Sequence, residues 1–126
     1  MGTTSLLMSS TPSKREKQLD HLEREFQKAR LEVDEKRCLV ERKQQLFTRM
    51  LEEEYAMAAS FLQQQEIDSS CEWESLHRCI EEYDLEARDA AQVAIKQIDT
   101  EEENLWQSYR KERWQLEEEI TQDKVS

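Results

Sequence analysis

From Ser13 to Ser126 the chain runs for 114 residues without a single glycine or proline; its one Gly and its one Pro are Gly2 and Pro12. Those two residues are the strongest breakers of helix and the usual makers of turns. A stretch this long without either leaves little besides helix. Glu, Gln, Leu, Arg, Lys and Ala dominate the stretch, and all are good helix formers. Charged and apolar residues each make up 37% of the chain. This matches long helices or a coiled coil better than a packed globular domain. A disordered chain would share the charge content but not the regular apolar spacing described next.

Ser13-Lys14-Arg15-Glu16 reads as a capping box, so the first helix is expected from residue 13. Its apolar residues recur in steps of three and four: Leu19, Leu22, Phe26, Ala29, Val33, Val40, Phe47, Met50, Met57 and Phe61. That is the heptad signature of a coiled-coil seam. Lys36, Lys43 and Glu54 interrupt it at core positions. Ser69-Ser70-Cys71-Glu72 is a second capping box. A second seam follows it through Leu76, Ile80, Tyr83, Ala87, Ala90, Ala94, Ile98, Leu105, Tyr109, Leu116 and Ile120. The four–four step through Ala90, Ala94 and Ile98 departs from heptad phase as a stutter would.

The expected architecture is therefore all-α: a long antiparallel helical hairpin or coiled coil. Residues 1–12 form a flexible tail, 13–67 the first helix, 68–70 the turn, 71–122 the second helix, and 123–126 a frayed end. The near-equal arms favour a hairpin over one continuous kinked helix in a multi-chain coiled coil. Folding at Asp68-Ser69 sets Met57 against Ile80, Met50 against Ala87, Val40 against Ile98 and Ala29 against Tyr109.

The net charge of −11 argues against nucleic acid as a partner. The charge is uneven, with a net +3 over residues 14–50 and −14 over residues 51–126. An uneven chain of this kind can pair with itself as a homodimer or steer toward a basic protein surface. Three cysteines make no disulfide framework, which fits a reducing, cytoplasmic setting. No apolar run approaches the length of a membrane span. The Met1-Gly2 start resembles a myristoylation signal but has Leu6 where Ser or Thr is wanted.

Two surfaces are candidates for binding other protein subunits. The first is a broadened apolar stripe at Leu46, Leu51, Tyr55, Ala58 and Leu62, too wide for one partner helix to cover. The second is Trp106, Tyr109, Arg110, Arg113 and Trp114. Trp106, Arg110 and Trp114 follow at i, i+4 and i+8 and share a face, and Trp, Tyr and Arg are the residues enriched at binding hot spots. The bland alternative is that these aromatics pack on the neighbouring helix.

Catalytic and metal-binding readings lack geometry. Glu74 and His77 have the spacing of one di-iron pair, where two such pairs and two more carboxylates are required. His77 points away from both Cys71 and Cys79 on a helix. No phosphate-binding loop is present. The expectation is a non-enzymatic, cofactor-free structural or adaptor subunit, cytoskeletal in type. A helical regulator of an enzyme or motor and a homodimeric rod or tethering subunit in membrane trafficking are the alternatives.

Overall fold

The computed structural model describes residues 13–65 and 68–125. Two helices account for nearly all of them: α1, Lys14–Gln63, and α2, Ser70–Val125. They pack against each other as an all-α hairpin, with no strand among the described residues. The expected tail at residues 1–12, with its myristoylation-like start, lies outside the described residues, as do 66, 67 and 126.

The start of α1 follows from its capping box. The Ser13 hydroxyl accepts the Glu16 backbone N–H at 3.1 Å, and the Glu16 carboxylate accepts the Ser13 N–H at 3.4 Å. Two donors that the helix cannot satisfy internally are thereby met. The helix stops at Gln63, four residues earlier than expected, as the N–H groups of Gln64 and Gln65 fall back to the carbonyls of Phe61 and Leu62. Such i→i−3 bonds tighten and close a last turn. Asp68 organises the next start. Its carboxylate accepts both the backbone N–H and the hydroxyl of Ser70, while the Ser69 carbonyl takes the first helical bond from Trp73. The same two bonds from Ser70 hold the Asp68 carboxyl below its ordinary value. α2 then continues to Val125, past the fraying expected at 122.

The inward side of each helix can be read from burial. On α1 it passes through Leu19, Leu22, Phe26, Ala29, Val33, Arg37, Val40, Gln44, Phe47, Leu51, Tyr55, Ala58 and Leu62. On α2 it passes through Trp73, Leu76, Ile80, Asp84, Ala87, Ala91, Ala94, Ile98, Glu102, Leu105 and Tyr109, and then Leu116 and Ile120. Five steps along either path cover eighteen residues, as from Leu19 to Arg37, Arg37 to Tyr55, or Trp73 to Ala91. The period is that of an undistorted α-helix, ~3.6 residues, not the ~3.5 of a heptad seam.

This period corrects the expected seam. Met50, Met57, Phe61 and Tyr83 are 49%, 71%, 64% and 55% exposed, and Ala91 replaces Ala90 on the inward side. A heptad line drifts ~20° per repeat around a straight helix. Over the five heptads from Leu22 to Met57 it turns ~100°, rather more than a quadrant. Lys36, Lys43 and Glu54, expected within the seam, are exposed for the same reason.

The chain divides into two compact units, Met1–Asp34 with Thr100–Ser126, and Glu35–Asp99. In the first, Phe26 is 4% exposed. Its ring stacks on Tyr109 with centroids 4.0 Å apart and meets the edge of Trp106 at 4.6 Å. Arg15 reaches across to Glu119 and Asp123, and Lys124 to Glu16. In the second unit, Leu51, Ala91 and Ile98 are the most buried residues. Arg37 pairs with Asp99 at 2.8 Å, and Tyr55 lies against His77 with ring centroids 5.5 Å apart.

Candidate protein-binding surfaces

The aromatic cluster anticipated on α2 is divided between two roles. Trp106 is half-buried against Phe26 and Tyr109, and the guanidinium groups of Arg30 and Arg110 lie over its ring at 5.1 and 5.6 Å. Cations at this range are held by the ring quadrupole. Tyr109 is buried, with its hydroxyl 3.4 Å from a Glu23 carboxylate oxygen and 3.3 Å from an Arg113 nitrogen. Arg113 in turn donates to Glu117 at 2.9 Å, and that bond raises its already high pKa. Trp106 and Tyr109 thus belong to the joint between the helices. Trp114, two turns from Trp106, is 60% exposed. Arg110 and Arg113 are exposed beside it.

The broad stripe on α1 is likewise split. Leu51, Tyr55, Ala58 and Leu62 sit on the inward side of the hairpin, and of the five anticipated residues Leu46 is the one left outward. Tyr55 and Leu51 line a hollow with His77, Ile80 and Asp84. Ala58 and Leu62 line another with Leu76 and Cys79. What stands outside instead is a row of Leu39, Leu46, Met50, Met57 and Phe61, all at least half exposed or close to it; of these, Met50, Met57 and Phe61 are expected in the core on a heptad reading. They lie about a third of a turn from the inward line of α1, all displaced in the same direction.

On α2, Cys79, Tyr83, Ala90 and Val93 are exposed and displaced in the same direction from its own inward line. In an antiparallel pair, residues displaced the same way around each helix fall on one common side. The hollow of about 530 Å³ bounded by Phe61, Leu62, Leu76 and Cys79 shows the two rows meeting at the turn end of this unit. The opposite side is polar, carrying Thr48, Glu52, Glu81 and Arg88 around the Tyr55–His77 contact. The outward row was visible in the sequence as apolar residues; its direction depended on the helix period.

Among the described residues no group of three or more His, Cys, Asp or Glu side chains is placed to hold a metal ion. No described helix is long and apolar enough to cross a membrane. Cys38, Cys71 and Cys79 are free and exposed.

Fold and surfaces together define a helical hairpin with one apolar flank. No family model, no curated protein and no solved structure matches this chain.

Proposed function

We propose that the chain is a non-enzymatic structural or adaptor hairpin that binds protein through the apolar side of its Glu35–Asp99 unit. The observation that carries this reading is the row Leu39, Leu46, Met50, Met57 and Phe61, which stands outward from a hairpin whose inward positions are already filled. Contiguous exposed apolar residues on a water-bathed helix favour burial against another chain. A row along one side of the helix, with a residue about every turn and a half, fits a partner helix laid alongside. Methionines at two of the five places suit a surface that must adapt to its partner. A role in a multi-subunit assembly of cytoskeletal type accords with this, by analogy of architecture.

The test replaces Met57 and Phe61 together by lysine and compares partner recovery from cell extract. Both side chains are outward, so the hairpin keeps its helicity by circular dichroism while the bound proteins are lost. Unchanged recovery from a folded variant would refute the reading.

A second reading rests on Trp114. An exposed Trp flanked by Arg110 and Arg113 is the composition of a hot spot, and it would suit a regulator that lays α2 on an enzyme or motor. Trp114→Ala would then abolish one regulated activity and leave the assembly recovered by the first test intact.

A further inference from the structure

The partner fitted by the apolar side of the Glu35–Asp99 unit can be named from its symmetry, an inference that rests on the binding role proposed above. Four of its five α1 residues, Leu39, Leu46, Met50 and Met57, follow at intervals of seven, four and seven. Those four read the same in both directions about the level of Thr48, and Phe61 lies beyond them toward the turn. On α2, Cys79, Tyr83, Ala90 and Val93 follow at four, seven and three, nearly symmetric about Glu86. The Arg37–Asp99 ion pair and the Tyr55–His77 contact bracket this stretch. Interpolation between them sets Thr48 level with Glu86. Both rows thus share one centre.

The charges are arranged about that centre with opposite sign. On this side of α1, Lys36 and Lys43 lie before the midpoint and Glu54 beyond it. A surface that is basic on one side of its midpoint, acidic on the other and apolar in a reversible pattern is complementary to itself turned around.

We infer that this side docks a second copy of the same chain, antiparallel, about a two-fold axis at the Thr48–Glu86 level, giving a four-helix interface. Two-fold pairing is the commonest closed symmetry, and it uses the same patch on both subunits. α1 lies along α1 of the second copy. Leu39 meets Met57, Leu46 meets Met50, and Lys43 comes within one residue of the level of Glu54, each pair occurring twice. On α2, Cys79 meets Val93 and Tyr83 meets Ala90. Glu86 lies against its symmetry mate, a like-charge contact.

The test begins with sedimentation of the purified full chain across micromolar concentrations, where a dimer is expected. The register is then read by disulfide capture. Cys38, Cys71 and Cys79 are first replaced by serine, and Leu39→Cys and Met57→Cys are introduced together. Within one chain these positions are ~27 Å apart along α1, far beyond the span of a disulfide. Mild oxidation is expected to give a covalent dimer from the double variant and from neither single one. Lys43→Glu is expected to weaken the dimer about tenfold, with restoration in the Lys43→Glu/Glu54→Lys pair, and Glu86→Gln to tighten it.

A chain that stays monomeric at 100-fold higher concentration overturns the inference, as does a dimer that is not captured by the double variant. Loss of bound proteins in the lysine variant of Met57 and Phe61, from a chain that is itself monomeric, would preserve the binding role and discard self-docking alone.

Discussion

Individual side chains carry unequal shares of this fold. Phe26 is the most enclosed, stacked on Tyr109 and edged by Trp106. Phe26→Ala is expected to destabilise the hairpin by about 3 kcal/mol, the low end for a core phenylalanine, as measured by urea unfolding followed at 222 nm. Asp68 acts differently, through the start of α2. Its carboxyl is held below its ordinary value by the Ser70 hydroxyl and N–H, so its contribution is complete above the ordinary carboxylate pKa and fades as pH falls through the lowered one. Acidification below that range should therefore speed hydrogen exchange at the first amides of α2, and Asp68→Ala should show the faster exchange already at neutral pH. Asp68 is fully solvent-exposed, so the readout is local exchange and not global unfolding.

For the helices, the consequential quantity is the period of the inward side. Ala91 and Gln92 are adjacent in sequence, but one is buried and the other exposed. Ala91→Leu is expected to cost about 1–3 kcal/mol through overpacking, and Gln92→Leu to stay within about 0.5 kcal/mol, both by thermal unfolding. A heptad seam through Ala90 would place the larger cost at Ala90→Leu instead.

This is also where legibility in the sequence ended. The Ser13–Glu16 capping box, the two helices and the break between them follow from short-range chemistry that any window of a few residues displays. The direction of the far apolar residues does not. Steps of three and four look alike in 3.5 and 3.6 periods, and the difference shows only when summed over several repeats. The heptad pattern thus marks Met50, Met57 and Phe61 as apolar but gives them the wrong side, and it gives Leu51, Tyr55, Ala58 and Leu62 an outward face that they do not have. Trp106 and Trp114 share a helical face but not a fate, since Phe26 and Arg30 on the other helix enclose only the former.

At the level of the molecule, stability and association are coupled. A two-helix hairpin buries few residues, six apolar side chains among the described residues, and small cores of that kind are marginal alone. Anything that binds the folded form raises its apparent stability by mass action. Self-docking therefore predicts an unfolding midpoint that climbs with protein concentration in differential scanning calorimetry, and climbs less in 0.5 M salt, where the Lys43–Glu54 attraction is screened.

The eighteen-residue recurrence on both helices has a bearing on how such a chain can change in length. Removing eighteen residues from each arm, an equal stretch from each, would bring the inward positions back into phase and leave every outward row pointing where it did. Removing seven from each would rotate one end of every row against the other by ~20°. Length in this hairpin is thus adjustable in whole units of five turns without disturbing what its surface presents, and relatives that differ in arm length should differ by that quantum.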